Sequence, residues 1–328
     1  MRDADLLLSI LDCPDCRSGQ GLVPQREASG EYLACASCRF FFPIIDDVVV
    51  LLPAANNPRG RRGEIGKPRP LSLERAAPRA VDMKALVYSF YARMDEFGRA
   101  FDVKSEPLVV DVGCSTGSFA CWLGSEQTYI GFDISFESLR FARRASGQFF
   151  VQADAHRLPI KTNTVPFVVS REVLEHLDDA LAAVRELCRV ARRGVIVVFT
   201  LDFPFLYDPL NWVLIRRGKR ANFGAYGYAH QKLYDVRGWR GLLEQAGLRI
   251  QRERPIGTGL VLNATDVVWH SLYSWRDFDN LPRRRAPLGL LRPLAGFTRV
   301  VHRLDSKLLP HAALSHAFEI EAAAPRAG

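Results

Sequence analysis

The sequence predicts an α/β fold in which a doubly wound, mostly parallel sheet is preceded by a small cysteine-rich ribbon. Strand-like apolar segments alternate with helix-like segments in the middle of the chain, and several of these strands end in an aspartate. A glycine-containing turn joins the first of them to a helix. Two C-x2-C pairs lie near the beginning of the chain, well before this alternating pattern.

Length and composition agree with a globular protein that has one large and one small domain. The chain has 328 residues, of which 48% are hydrophobic and 24% are charged. The formal net charge of +8 indicates anionic partners only weakly, because basic residues spread over a surface can simply be solvated. No apolar run approaches the roughly 18 residues that span a bilayer, and Asp3 and Asp5 do not fit a signal peptide. We therefore expect a cytoplasmic protein.

The amino-terminal cysteines predict a metal-binding ribbon over residues 1–55. The two C-x2-C pairs are separated by a gap of eighteen residues, and this spacing puts four thiolates on two facing turns, which suits tetrahedral zinc. Two disulfides or unpaired thiols are the alternatives, and a cytoplasmic setting disfavours disulfides. A ribbon this small has little core, so the metal would largely determine whether it folds. The predicted zinc ligands are Cys13, Cys16, Cys35 and Cys38.

A linker and a helix are predicted after the ribbon. Residues 56–80 are rich in proline, glycine and arginine, which indicates a linker before a large domain over 81–328. From Val81 to Asp102, apolar residues recur at helical spacing. We therefore expect a helix that covers the sheet.

The segment Val109–Gly124 predicts a ligand-binding turn between a buried strand and a helix. Asp111 lies at the carboxyl end of the strand, where open α/β sheets bind ligands. Gly113 and Gly117 allow the backbone to approach a ligand without an intervening Cβ atom. The helix that begins near Ser118 offers unpaired N–H groups and a partial positive charge. This combination favours a nucleotide-like ligand.

Two further strands repeat the acidic ending. The segment Gln127–Ser135 contains a second strand that ends in Asp133, at a spacing that lets an acidic side chain reach a ribose. A third strand, in FFVQADAHRLP, has Asp154 at its end. The three acids at strand ends form a pattern that indicates one ligand site.

These residues resemble the first motifs of class I S-adenosylmethionine-dependent methyltransferases, from about residue 108 to residue 200 and more weakly to residue 250. The resemblance implies a Rossmann-like, seven-stranded sheet and S-adenosyl-L-methionine as cofactor. The turn would hold the methionine part, Asp133 the ribose hydroxyls, and Asp154 with Ala155 the adenine edge. Ser115 replaces the usual middle glycine, which is a small-for-small change. The cofactor-binding residues implied in this way are Asp111, Gly113, Cys114, Ser115, Gly117, Asp133, Ile134, Asp154, Ala155 and Arg171.

The ribbon has a resemblance of its own. The segment EYLACASCRFFFPIIDDVVVLLP predicts a strand through each cysteine turn and a closing apolar strand. Together with the four cysteines, it is similar to the small zinc-ribbon proteins that activate methyltransferases. Members of that family also occur fused to the amino termini of methyltransferases, as the order of segments here would require.

The segment LPIKTNTVPFVVSREVLEHLDD resembles the fourth strand of the methyltransferase family and the short helix behind it. Val165 and Pro166 replace a frequent Phe-Asp pair, and proline is tolerated at a strand start. Glu172, Glu175 and His176 cluster on the short helix. We expect His176 to face the pocket, because a neutral imidazole can take a proton near pH 7. Alternatively, His176 only forms a hydrogen bond with a neighbouring loop.

An aromatic-rich segment near 201–235 lies where this fold usually inserts its substrate-recognition residues. His230 in this segment is the second candidate for removing a proton from an acceptor. Tyr207, Tyr226 and Tyr228 either line the acceptor pocket or pack a lid. Residues 294–308 have one apolar helical face, which predicts a core-packing helix, with a membrane-surface helix as the alternative.

The resemblance implies methyl transfer but leaves the acceptor open. Aromatic content mildly favours a small organic molecule, a sugar or a lipid-linked intermediate, whereas the basic charge and the ribbon keep an RNA methyltransferase as the main alternative. A third hypothesis is a non-catalytic scaffold with a degenerate methyltransferase fold, and the intact acids and glycines argue against it. A nicotinamide dehydrogenase fits less well, because the turn lacks G-x-G-x-x-G.

Overall fold

The computed structural model describes residues 2–28, 30–54, 96–123, 127–200, 234–257, 304, 307–308 and 315–322. The predicted linker over 56–80 lies outside the described residues. His230, the three tyrosines near it and most of the predicted helix over 294–308 also lie outside them. Residues 96–100 are helical, in agreement with the end of the helix predicted before the first strand.

The amino-terminal part consists of one helix and a four-stranded antiparallel meander. Its elements are α1 (Arg2–Ile10), β1 (Leu22–Glu27), β2 (Gly30–Cys35), β3 (Phe41–Ile45) and β4 (Val48–Val50). Asp46 and Asp47 form the tight turn between β3 and β4 with φ values of 49° and 60°. Aspartate is one of the few residue types that visit this left-handed region readily.

Strands and helices alternate after residue 107, as the sequence predicted. The elements are β5 (Leu108–Val112), α2 (Ser118–Leu123), β6 (Thr128–Asp133), α3 (Phe136–Ser146), β7 (Phe149–Gln152), β8 (Val165–Arg171), α4 (Ala180–Val190), β9 (Ala191–Phe199), α5 (Val236–Gln245), β10 (Leu248–Ile256) and β11 (Ser315–Ala322). None of the helices in the described part of the chain is long and apolar enough to cross a bilayer.

All the strands named above belong to one sheet with the order β1-β2-β3-β4-β7-β6-β5-β8-β9-β11-β10. Parallel ladders join the strands from β7 to β9, whereas β11 runs antiparallel to both of its neighbours. The seven strands from β7 to β10 confirm the predicted Rossmann-like, mostly parallel sheet of a class I methyltransferase fold.

The sheet is covered on both faces, which is what a doubly wound fold requires. Val110 of β5 belongs to a buried cluster that includes Val184 of α4 and Trp239 of α5. Its neighbour Val109 belongs to a second cluster, which includes Phe119 of α2. Successive residues of a strand point to opposite faces, so β5 separates two core layers.

The ribbon strands extend this sheet. β4 pairs with β7 in parallel, and the N–H group of Leu51 donates to the carbonyl oxygen of Gln152 at 2.8 Å. Phe42 of β3 is fully buried in the same cluster as Val110 of β5. The ribbon therefore shares the core of the large sheet, which compensates for the small core that its own length allows.

Short polar contacts determine where the helices that follow β6 and β8 begin. Ser135 Oγ accepts from the N–H group of Ser138 at 3.4 Å at the start of α3, and Asp179 Oδ1 accepts from Ala182 at 3.0 Å at the start of α4. Both are side-chain caps of a helix N-terminus. Pro166 is exposed at the second position of β8, so this strand tolerates the substitution noted in the sequence.

Candidate functional site

The glycine-containing turn ties the carboxyl end of β5 to β6. The N–H groups of Gly113 and Cys114 donate to the carbonyl oxygen of Phe132 at 2.7 and 3.1 Å. Gly113 and Gly117 have φ values of 83° and 68°, in the region that favours glycine. Ser115 adopts this region as well, with a φ of 48°. The turn thus keeps a left-handed backbone even where the family's usual glycine is replaced.

Packing also excludes a Cβ atom at both glycines. A Cβ on Gly113 would lie 2.1 Å from Val173 Cγ2, and one on Gly117 would lie 2.7 Å from Ala142 Cβ. Both distances are far below a normal contact. The protein's own packing therefore requires these glycines, in addition to the close ligand approach predicted from the sequence.

Asp111 is buried under the turn, with 1% of its surface exposed. The hydroxyl group of Tyr129 donates to its Oδ2 atom at 2.7 Å. Burial raises the pKa of Asp111, while the charge of Arg171 and the hydrogen bond from Tyr129 oppose this shift. Arg171 lies with its guanidinium 4.8 Å from the ring centroid of Phe119. The structure thus shows Asp111 and Arg171 supporting the sheet edge, and their contact with a cofactor stays a prediction.

Asp133 lies at the end of β6 and holds two backbone segments. Its Oδ2 atom accepts from the N–H group of Ser115 at 2.8 Å, and its Oδ1 atom accepts from that of Ser135 at 2.9 Å. Burial raises the pKa of Asp133, and these backbone hydrogen bonds oppose the shift. The next side chain, Ile134, is 58% exposed. An acid and an exposed apolar side chain therefore lie together beside the glycine turn.

The third acid follows β7, the neighbour of β6. Asp154 Oδ1 accepts from the backbone N–H group of His156 at 2.9 Å and makes a 2.8 Å contact with Nδ1 of the same residue. Ala155 between them is half-buried. Gln152 Nε2 donates to the carbonyl oxygen of Ile134 at 2.9 Å. This bond ties the carboxyl ends of β6 and β7 together.

His176 lies in the 3₁₀ helix Leu174–His176, directly after β8. Burial lowers its pKa, and the charge of Glu172 opposes this shift. Glu172 itself has a φ of 52° and accepts from the hydroxyl group of Ser315 at 2.5 Å. Sequence reasoning noted this glutamate without assigning it a role, because neither its left-handed backbone nor its partner in β11 leaves a local sequence signal.

The four amino-terminal cysteines come together as predicted. Their Sγ atoms all lie within 4.8 Å of one another, with 3.7 Å between Cys13 and Cys38 and 3.5 Å between Cys16 and Cys35. None of the four forms a disulfide bond. Four sulfurs at about 2.3 Å from a tetrahedral zinc ion are about 3.8 Å apart, which is close to both of these separations.

Contacts between the ribbon and the large domain lie next to the cysteine cluster and to the turn that follows β7. Arg157 donates to the carbonyl oxygen of Asp15 at 2.7 Å and also to that of Pro14. Arg17 forms a bidentate pair with the buried Glu186 at 3.1 and 2.9 Å. The sequence offered no signal for these pairs, since more than a hundred residues separate the partners and a lone arginine is usually a surface residue.

Comparison with known proteins identifies the central part of the chain. A family model described as a methyltransferase domain matches residues 110–199. These residues are therefore similar to a methyltransferase domain. The domain contains the glycine turn, the acids that end β6 and β7, and His176. The match confirms the predicted resemblance to S-adenosylmethionine-dependent methyltransferases, whereas the similarity of the ribbon to the activator family stays a prediction.

Named relatives match part of the chain. A malonyl-[acyl-carrier protein] O-methyltransferase from Hamiltonella defensa is 32% identical over 101 residues, which are 30% of this chain and 39% of the relative. Methyltransferase GfsG from Streptomyces halstedii is 29% identical over 214 residues, which are 56% of this chain and 72% of the relative. The chain covers 37–42% of the malonyl-[acyl-carrier protein] O-methyltransferases that it matches.

One solved structure is similar to the chain at lower sequence identity. The magnesium protoporphyrin IX methyltransferase of Synechocystis, with bound SAH, is 19% identical and has a TM-score of 0.41. The match covers 53% of this chain and 80% of that chain.

Proposed function

We propose that the chain transfers a methyl group from S-adenosylmethionine to a small organic, sugar or lipid-linked acceptor. One observation carries the proposal: Asp111, Asp133 and Asp154 lie at the carboxyl ends of the adjacent parallel strands β5, β6 and β7. The glycine turn closes the first of these strands. In open α/β sheets this edge is the one that binds ligands.

The side chains at this edge fit the cofactor. Each carboxylate oxygen of Asp133 accepts one backbone N–H group, which leaves lone pairs for the two ribose hydroxyls. The exposed Ile134 offers apolar surface to the face of the adenine. Asp154 has an acceptor for the adenine amine, since both bonds from His156 go to the Oδ1 atom. The ribose and the base of a nucleoside thus have matching groups at the ends of the neighbouring strands β6 and β7.

The methyl sulfonium of bound S-adenosylmethionine supplies a carbon that is already activated for in-line displacement. The protein then has to align the acceptor and exclude water. For a hydroxyl acceptor, we assign the removal of the proton to His176, with His230 as a second candidate. Burial lowers the pKa of His176, so the imidazole is neutral near pH 7 and able to accept a proton.

We also propose that Cys13, Cys16, Cys35 and Cys38 hold a structural zinc ion. The separations between their sulfur atoms support this assignment, and a closed set of four cysteine ligands is typical of structural rather than catalytic zinc. Such a site would stabilise the ribbon against the sheet and take no part in the methyl transfer.

The choice of acceptor rests on two supports. The aromatic-rich segment near 201–235 offers side chains that suit an organic acceptor. One group of relatives is named for methylation of a malonyl group carried on a protein, which is a small acid in a carrier-linked form. A carrier-linked acyl group therefore belongs among the first acceptors to test.

Calorimetric binding of S-adenosylmethionine and S-adenosylhomocysteine tests the cofactor assignment. We expect the wild type to bind both ligands. Asp133→Asn should weaken binding by about tenfold or more, because the amide nitrogen of asparagine cannot accept a hydrogen bond from a ribose hydroxyl, whereas both carboxylate oxygens of aspartate can. Glu244→Gln, which removes an exposed carboxylate on α5, is the control and should bind as the wild type does. A folded wild type that binds neither ligand would refute the proposal.

Transfer of a labelled methyl group tests the acceptor. Small hydroxy and carboxylic acids, sugars, lipid-linked sugars, a malonyl carrier protein and total RNA are offered side by side to the same enzyme. Label in a small or carrier-linked acceptor supports the proposal. Label in RNA, together with an RNA affinity that falls steeply with salt, would replace it by the RNA methyltransferase hypothesis.

A further inference from the structure

The turn after β7 holds an arrangement that goes beyond a plain acidic strand end. Asp154 Oδ1 receives both the backbone N–H group of His156, at 2.9 Å, and its ring Nδ1, at 2.8 Å. The other ring nitrogen, Nε2, lies 3.3 Å from Asp178 Oδ1. His156 therefore lies between two carboxylates, one that follows β7 and one that precedes α4.

The contact with Asp154 orients the ring, because Nε2 has no hydrogen-bond partner within the described part of the chain. An ionised carboxylate only accepts hydrogen bonds, so the ring nitrogen that meets Asp154, Nδ1, carries a proton. Asp178 belongs to the turn between the 3₁₀ helix of His176 and α4. Its side chain is 88% exposed, whereas those of His156 and Asp154 are 28% and 24% exposed. Of the two contacts, the one between His156 and Asp154 is therefore the better shielded from solvent.

Both bonds converge on one oxygen of Asp154. Within the described ranges, no donor reaches the Oδ2 atom. A carboxylate held at one oxygen by two donors has a defined plane, and its second oxygen then points in a defined direction. That oxygen can accept from an amine but is repelled by a carbonyl oxygen. The arrangement therefore suits the discrimination of a base with an exocyclic amine from one with a carbonyl group in the same place.

We propose that His156 is a positioning residue for base recognition, which orients Asp154 so that its Oδ2 atom reads the exocyclic amine of adenine. The inference rests on the proposed function, because it assumes that S-adenosylmethionine binds at this edge. It predicts a property that the binding of the cofactor alone does not require, namely that selectivity for adenine over hypoxanthine depends on a histidine that need not touch the base.

The test compares calorimetric affinities for S-adenosylhomocysteine and for its deaminated analogue, S-inosylhomocysteine. The wild type should prefer the adenine compound by about tenfold or more. His156→Asn keeps an N–H donor at the place of Nδ1 and should retain most of this preference. His156→Ala removes the side-chain donor and His156→Gln moves it to the place of Nε2, and both should lose most of it. Asp154→Ala should abolish it.

Each outcome has a defined meaning. Equal preference for adenine in the wild type, His156→Ala and His156→Gln would overturn the positioning role, and so would an unchanged preference in Asp154→Ala. A loss of preference in His156→Asn equal to that in His156→Ala would also overturn it, because the donor at the Nδ1 position would then be irrelevant. A folded wild type that binds neither compound refutes the proposed function itself, an outcome distinct from binding without selectivity. Circular dichroism spectra and thermal unfolding of each variant establish that the comparison uses folded protein.

Discussion

Arg157 donates from its Nη2 atom to the carbonyl oxygen of Asp15 at 2.7 Å, across 142 positions of the chain. Its Nε atom donates to the adjacent carbonyl oxygen of Pro14. Both acceptors lie inside the first C-x2-C pair, while Arg157 comes three residues after Asp154. A single side chain therefore connects the predicted zinc site to the predicted adenine side of the cofactor site.

Arg157→Ala should weaken the binding of S-adenosylhomocysteine as well as the stability of the fold. The variant loses hydrogen bonds from a charged donor to two carbonyl groups, which are worth about 2–3 kcal/mol together. We expect about a tenfold loss in affinity, measured by calorimetry, and a lower melting temperature. Arg157→Lys, which can restore one of the two bonds, should have an affinity and a melting temperature between those of the wild type and Arg157→Ala. Arg192→Ala on the exposed part of β9 is the control, and an equal effect of both alanine variants would contradict the connection.

Removal of the metal should affect the whole sheet and not only the ribbon. Phe42 and Leu33 of the ribbon share a buried cluster with β5, and β4 pairs with β7, so an unfolded ribbon would expose the edge of the large sheet. We expect a chelator to lower the melting temperature of the entire transition. Cys16→Ser should reduce the zinc content seen by native mass spectrometry, whereas Cys121→Ser, outside the cluster, should leave the zinc content unchanged. A metal-free protein that melts as the untreated one does would contradict a structural zinc ion.

Features that repeat along the sequence were predictable. The alternation of strands and helices, the acids at the ends of β6 and β7 and the paired cysteines each recur with a spacing that reflects one physical requirement. These signals were sufficient for the fold class and for the groups that surround the candidate cofactor site.

Contacts made once, between distant residues, were not predictable. The pairs Arg17–Glu186 and Arg157–Asp15 join segments more than a hundred residues apart, and neither member has a neighbour that marks it. The parallel pairing of β4 with β7 was missed for a related reason, because three valines predict a strand but not its partner. The need for glycine at position 113 was predicted, although the packing of Val173 against it was not.

Gly113→Ala should be strongly destabilising, by about 2–5 kcal/mol in the free energy of unfolding. The left-handed backbone costs about 1–2 kcal/mol with a Cβ atom, and the clash with Val173 adds an overpacking term of about 1–3 kcal/mol. Gly147→Ala is the matched control, since Gly147 has a φ of 72° but nothing within 4 Å of its added Cβ, and it should cost only about 1 kcal/mol. Denaturant unfolding measures both. Equal losses in the two variants would show that Val173 moves aside.

The pKa of Glu186 determines how the stability of the junction between the ribbon and the sheet depends on pH. Burial alone would raise the pKa of this carboxyl group, but hydrogen bonds and charge from Arg189, with the charge of Arg17, hold it below its usual value of 4.5. The backbone N–H group of Leu158 also donates to it, at 2.9 Å. Because the folded state prefers the charged form, the stabilisation is complete above pH 4.5 and is lost as the pH falls through the lower pKa of the folded protein.

Glu186→Gln should therefore destabilise the protein most at neutral pH, by about 3 kcal/mol. The variant leaves two arginines facing a neutral side chain, at a position where the glutamate side chain is only 10% exposed. Urea unfolding at pH 7 and at a series of pH values below 4.5 should show the difference between the variant and the wild type shrinking with acid, because the unfolded wild type takes up a proton at Glu186 before the folded protein does. Glu253→Gln, which breaks a more exposed pair with Arg240, should change stability by less than about 1 kcal/mol. If Glu186→Gln instead loses as much stability at low pH as at pH 7, its effect comes from packing and not from the charge that holds Arg17 of the ribbon against α4.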